Sequence, residues 1–290
     1  MPQNNQVWAT VIEDSVCNGV RLTTLKVRYH RMIHAEFLRH RVLSRCAASS
    51  RAIPVTKMAA SATAEPLHWG ANQAGMQAGT QLTGWRLWAV KRVWRLAGFI
   101  ARRLSVLMAK LGAHKQIANR LTESHQWMEE VITGTDWDNF FNLRCHDAAQ
   151  PEIFAIASAV KNAMELSKPK QVTRDFSSPW NWHLPFIQYE ERLAADKGKY
   201  DTRSRYYNCL YLAKLSAARV ARVSYLNHDG SKPDAAKDLG LFGRLTADPK
   251  ALHASPMEHQ AYPLNYSRTR MRNFRGWKQF RILVEAGEAE

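Results

Sequence analysis

The chain has 290 residues, 46% of them apolar and 23% charged. That composition excludes a disordered or collagen-like chain and gives one large domain, or two modest ones, enough material for a core. Lysine and arginine outnumber the acids 41 to 25, for a formal charge of +16, so the partners to expect are polyanions: nucleotides, nucleic acid or an anionic membrane surface.

The opening stretch MPQNNQVWATVIEDS lacks the basic start and apolar run of a signal peptide. Arg21–Tyr29, RLTTLKVRY, alternates and is rich in β-branched residues, which predicts a strand. From His30 to Leu43 the apolar residues Ile33, Phe37, Leu38 and Val42 approximate helical spacing, so the Arg39-His40-Arg41 run sits near a helix end. Pro54 punctuates the loop that follows. EPLHWGANQAGMQAGTQLTG, rich in Gly and Gln, reads as a loop leading to a helix over Trp85–Gly112. That helix carries a cation every few residues. It is too interrupted by charge to span a membrane and reads as a buried helix with a cationic outer stripe, with a surface-lying amphipathic helix as the alternative.

A short helix is predicted over His114–Leu121, and a longer one from about Asp136, interrupted near CHDAAQP and ending by Pro169. Residues 170–205, with SSPWNWHLPF, read as a connecting excursion. Helical periodicity resumes at NCLYLAKLSAARVARVSYL, NHDGSKPD is a turn, and ASPMEHQAYP leads from loop to strand. Cys17, Cys46, Cys145 and Cys209 are far apart and form no CxxC pair, and the histidines include no HExxH. No disulfide framework and no metal are expected, and a reducing cytoplasm fits.

The residues between 36 and 54, EFLRHRVLSRCAASSRAIP, raise a question of chemistry. On a helix neighbours diverge by about 100°, so Arg39, His40 and Arg41 do not all face one ligand. They read either as a solvated cationic helix end or as a junction serving two anions, or one ligand shared between subunits. Arginine suits phosphate through its planar fork, and Ser44, Ser49 and Ser50 add hydroxyl donors.

RHR, seven residues, Ser49 and then Arg51 resembles the signature of the flavin-dependent thymidylate synthases. FFNLRCHDAAQPEI, Phe140 to Ile153, is similar to that family's leucine-arginine…alanine-glutamine helix. ARVARVSYLNHDG…HASPMEHQAY, Ala218 to Tyr262, is similar to its alanine-arginine-valine-serine helix and its serine-proline-x-glutamate-histidine strand entry. The order differs: in the family the last pair comes first. The resemblance therefore implies an α+β fold with an antiparallel sheet and long helices, circularly permuted, in a single domain over residues 1–290 with 165–215 as the segment joining the old ends. Permutation is tolerated where joined ends lie close and cuts fall in surface chain.

The resemblance further implies flavin adenine dinucleotide (FAD) as cofactor, held by Arg39, His40, Arg41, Asn139, Ser224 and His259. It implies deoxyuridylate as substrate, held by Ser49, Arg51 and Arg144, with Ser49 and Arg144 acting on the reacting pyrimidine. Methylenetetrahydrofolate and NADPH would be co-substrates, and the assembly a homotetramer. Reading the residues alone leaves Asn139 open as a surface amide, His259 as a capping or core histidine, and Arg144 as an ion-pair partner of Asp138 or Asp147. Cys46 and Ala47 stand where the family has asparagine and glutamate, Glu36 where it has glutamine, and Asn119 where it has arginine, so the substrate phosphate is the less secure ligand. The alternatives are a flavin enzyme that methylates or hydroxymethylates another pyrimidine nucleotide such as deoxycytidylate, or a nucleic-acid-binding protein on the same scaffold.

Overall fold

Two residues dictate how the chain begins. Asn18 (φ 49°) and Gly19 (φ 74°) both lie in the left-handed region, and a two-residue turn of that kind matches the twist of a hairpin. It joins β1 (Trp8–Cys17) to β2 (Val20–His30). The computed structural model describes residues 7–61, 63–225, 233–248, 250–266 and 268–289.

The helix expected over His30–Leu43 is much shorter: a 3-10 turn, then α1 (His34–Leu38). The chain leaves it because Ser44–Ala47 pairs as strand β3, with Arg45 seated over the Phe37 ring at 4.3 Å. After α2 (Val55–Ala60) and the expected loop comes the 27-residue α3 (Gly84–Lys110). Then follow α4 (Lys115–Ala118), which gives way to a 3-10 stretch at Asn119, and β4 (Trp127–Gly134), a strand the sequence reading misses. α5 (Asp138–Arg144) and α6 (Pro151–Leu166) reproduce the interrupted helix, with Pro151 at the start of the second where its missing N–H costs nothing.

The main sheet has the order β3-β4-β2-β1-β5, with β5 at Lys170–Gln171. It is antiparallel except where β5 runs parallel to β1. One face takes Leu25, Val27, Tyr29 and Ile132 against Ile153, Ile156 and Val160 of α6. These α6 residues recur on one stripe, so a single helix face fills that side.

The remaining chain builds a second core. α7 (Tyr189–Asp196), α8 (Arg205–Ala221), α9 (Ala235–Thr246), the short strands β6 (Ala261–Pro263), β7 (Arg270–Met271), β8 (Phe274–Arg275) and β9 (Trp277–Gln279), and α10 (Phe280–Glu285) complete the described chain. α8 is buried along nearly its whole length. Trp182, Leu184, Ala195, Leu210 and Leu212, all from the stretch read as a connection, pack in this core with Met257 and Phe280. A buried ion cluster ties it together. Arg219 reaches Glu191 at 2.6 Å and Asp238 at 2.8 Å, and Arg222 also pairs with Asp238.

α3 corrects the expectation of a buried helix: its outward side carries an apolar stripe as well as cations. The helix buries only Gly98 and Ser105, small residues that admit a close approach: a Cβ on Gly98 would stand 2.7 Å from the His125 ring. Trp85, Val93, Leu96, Ile100, Leu104, Leu107 and Leu111 are all exposed, and with Ala89 they are spaced 4-4-3-4-4-3-4. That is an 11-residue repeat, which keeps a stripe along one side of a nearly straight helix. The cations Arg86, Arg92 and Arg103 stack over Trp85, Trp88 and Phe99.

Candidate functional site

β3 is an edge strand, and a cavity of about 410 Å³ opens beside it. Ser49 and Arg51, on the loop after the strand, line it together with Ala47. Across it stand His253, Ser255 and Pro256, more than 200 positions later in the chain. Ser255 also hydrogen-bonds the Cys46 side chain. The loop that carries Ser49 and Arg51 is fixed from below by Asn119, which is fully buried. Its Nδ2 donates to the carbonyls of Ser50 at 2.7 Å and Ile53 at 2.9 Å. A residue that the sequence marks as a lost cation is therefore the brace of the loop. Arg120, beside it, pairs with Glu123 at 2.8 Å. Arg51 has no acidic partner among the described residues and is exposed, so its fork is open to an anion.

The RHR run is not three cations. His40 is buried, its Nε2 accepts a hydrogen bond from Nε of Arg144 at 3.0 Å, and its ring meets Phe140 edge-on at 4.9 Å. Burial, with Arg144 and Arg45 adding positive charge nearby, holds the imidazole down at about 4, so it is neutral near pH 7. Arg144 thus spends its Nε on His40 and not on Asp138 or Asp147. Arg39 and Arg41 point outward and are exposed, as is Asn139 on α5.

His259 lies on the other face of the sheet, wholly buried, with Nδ1 bonded to Thr133 Oγ1 at 2.7 Å. Burial pushes it down to about 3. Its Nε2 is buried with no hydrogen-bond partner among the described residues. The side chain of Ser224, and residues 227–232 of the expected NHDGSKPD turn, lie outside the described residues.

In one chain the predicted residues therefore fall into separate groups. Ser49 and Arg51 share a cavity, His40 and Arg144 share a hydrogen bond, His259 is buried apart from both, and Arg39, Arg41 and Asn139 face outward. The SPMEH element does return to the neighbourhood of the RHR segment. Gln279 and Asn273 reach Ser44 at 3.0 and 3.3 Å, and the Ser255–Glu258 turn packs on β3. His253, Ser255, His114 and Gln116 of the cavity wall were missed. The first two lie inside the HASPMEH run.

Among the described residues no group of His, Cys, Asp and Glu is placed to hold a metal ion, and no helix is long and apolar enough to cross a membrane. Burial pushes the thiols of Cys46 and Cys209 up to about 12, which makes both poor nucleophiles.

No family profile matches the sequence, and neither does any curated protein. Among solved structures, the chain is similar to a UMP/dUMP methylase, PolB, from Streptomyces cacaoi, bound with 5-Br UMP. The identity is 14% over 55% of this chain and 88% of that one, with a TM-score of 0.45. A likeness at that level leaves fold and function to be argued from this chain's own residues.

Proposed function

We propose that the protein is a flavin-dependent enzyme that methylates a pyrimidine deoxynucleotide at C5, with deoxyuridylate as substrate, methylenetetrahydrofolate as carbon donor and NADPH as reductant. One observation carries this reading. Ser49 and Arg51, from the RHR motif, face Ser255, from the SPMEH motif, across one cavity. The chain holds these motifs in the opposite order from the family they resemble, yet packs them as neighbours, which supports a circular permutation.

The residues suit the groups they would hold. Arg51, open to solvent beside the Ser49 hydroxyl, offers a bidentate fork for a nucleotide phosphate. Arg39 and Arg41 offer exposed cations for a dinucleotide's diphosphate, and the ring nitrogen of His259 that has no partner among the described residues suits an atom of a flat ring. Arg144 keeps its two terminal nitrogens for a pyrimidine carbonyl, and the neutral His40 that takes its Nε holds the fork in place. Bound flavin would supply the reducing equivalents, so no cysteine need attack the pyrimidine.

The separation of these groups within one chain supports a site completed by a second subunit, in a homotetramer. The exposed apolar stripe of α3 is a surface for that contact. Leu96→Glu with Leu107→Glu should shift the particle to a smaller size in light scattering, and unchanged mass would remove α3 from the interface.

The activity is tested by release of the C5 proton from deoxyuridylate, and separately from deoxycytidylate, with mass analysis of the product. Turnover of deoxyuridylate, lost in Arg144→Ala, is expected. A hydroxymethyl product, or exchange with deoxycytidylate alone, would move the protein to another pyrimidine. The flavin is tested by colour: Arg39→Ala with His259→Ala should leave a folded, colourless protein, and retained flavin would refute the assignment.

A further inference from the structure

From Ala89 onward, each position of the apolar stripe on α3 is preceded by a member of a second row: Trp88, Arg92, Arg95, Phe99, Arg103, Val106 and Lys110. The 11-residue repeat keeps this row along one side of the helix as well. Its one-residue offset turns it about 100° from the stripe. Gly98 and Ser105, which face the protein, in turn precede Phe99 and Val106, so the row also lies a quarter turn from the packed side. It runs along a flank of α3 for about 33 Å.

The row holds four cations and two aromatic rings, and α3 as a whole carries seven cations and no acid. Trp88 is 62% exposed and Phe99 50%, and Arg92, Arg95, Arg103 and Lys110 are exposed beside them. Arg92 lies over the Trp88 ring at 5.2 Å and Arg103 over the Phe99 ring at 5.1 Å. A guanidinium resting on a ring keeps its N–H groups at its edge, where they meet an anion in plane. Among the described residues Arg95 is the one member with an acidic partner, Glu65 at 2.6 Å. Cations set in series along a helix flank without counter-charge match an extended polyanion better than a single phosphate.

We propose that this row binds single-stranded nucleic acid, with the phosphodiester backbone on Arg92, Arg103 and Lys110 and bases stacked on Trp88 and Phe99. Cations interleaved with exposed rings suit an unpaired strand, because every base has a face to stack; a duplex keeps those faces inside its own stack. A recess of about 370 Å³ opens on the same flank, lined by Glu65, Gln81 and Lys91 among others. Its hydrogen-bonding walls suit a base and not an acyl chain, and the Arg95–Glu65 pair joins it to the row. A bilayer would instead take up the apolar stripe. That stripe is given to a second subunit under the proposed function, and to that extent the choice of nucleic acid over lipid rests on that reading. The strand site itself needs neither flavin nor turnover.

The test is fluorescence anisotropy of the full chain with a labelled oligothymidylate of about 12 nucleotides. Binding should weaken with salt at a slope of about −2 to −3 in log K against log salt, and no binding by the wild type overturns the proposal. Arg92→Glu with Arg103→Glu and Lys110→Glu should weaken binding at least about tenfold. Lys168→Glu with Lys197→Glu and Lys199→Glu makes the same change of net charge at exposed lysines outside α3 and should stay within about threefold of wild type. Equal losses in the two variants would mean a general positive field and overturn the site. Trp88→Ala with Phe99→Ala should weaken binding about tenfold with the salt slope kept, and no loss overturns the stacking. A duplex bound as tightly as the single strand overturns the choice of strand. Vesicles of phosphatidylserine and phosphatidylcholine that hold the protein when the oligonucleotide does not would make the row a lipid surface and overturn the proposal. Circular dichroism and light scattering check that each variant keeps its helices and its mass. Release of the C5 proton from deoxyuridylate should be unchanged in the row variants, so strand binding and the proposed activity stand or fall separately.

Discussion

Lowering the pH from 7 to 5 should destabilise the protein steeply, and His259 should account for a defined share. Its imidazole has an ordinary value of 6.5 and is held at about 3 by burial. Between those values the unfolded chain binds a proton that the folded chain refuses. Stability is therefore full above about pH 6.5 and falls as the pH drops toward the folded value. Evaluated at pH 5, the difference is about 2 kcal/mol for this one group, nearly all of it lost below pH 7. His34 and His40, both held at about 4 by burial and neighbouring arginines, add to the acid loss in wild type and variant alike. The variant His259→Gln keeps a polar side chain and cannot titrate. Urea unfolding followed by tryptophan fluorescence should give it a lower stability at pH 7 but a pH 7-to-5 loss smaller than wild type by about 2 kcal/mol. Equal losses in the two proteins would show that His259 is solvated or already protonated, and its buried hydrogen bond to Thr133 would fall with it.

The buried ion cluster gives a second measurement. Arg219→Met removes the cation that Glu191 and Asp238 share, leaving Asp238 with Arg222, and should cost about 3–5 kcal/mol in urea unfolding; a cost below about 1 kcal/mol would mean the cluster is hydrated. Asn119→Ala removes both bonds that brace the Ser50–Ile53 loop and should cost about 1–3 kcal/mol, with faster proteolysis inside that loop; an unchanged cleavage pattern would contradict the bracing role. With Cys17, Cys46 and Cys209 buried and raised, a thiol reagent at pH 8 should modify only Cys145 quickly in the folded protein. Each single cysteine-to-serine variant should keep its activity, and one inactive variant would reopen a thiol mechanism.

What was legible in the sequence is what depends on spacing along the chain. The seven-residue interval from RHR to Ser49, and the SPMEH run, could be read directly, and the cavity in which they meet follows once those two segments pack together. Residues whose state is set from elsewhere were not legible. His40 looks like a cation among arginines, yet burial leaves it neutral and Arg144, 104 positions later, donates a hydrogen bond to it. β1 and β4 escaped notice because acids break their apolar alternation: Glu13 is matched by Arg192 and Asp14 by Arg21, while Glu130 accepts from Tyr29. No local pattern announces those partners. The Asn18-Gly19 pair is a hairpin signal that the charge of the flanking strands masks. α3 inverts the usual rule for a different reason. Its buried contact is made by Gly98 and Ser105, so counting cations among large apolar residues could not say which side faced the protein. Ser15, His183, Thr24 and Thr133, which hydrogen-bond in series to His259 inside the protein, carry no signal individually. Their meaning comes from the register that lines up two threonines and the fold that brings a histidine to each end, and pairings across the sheet decide both.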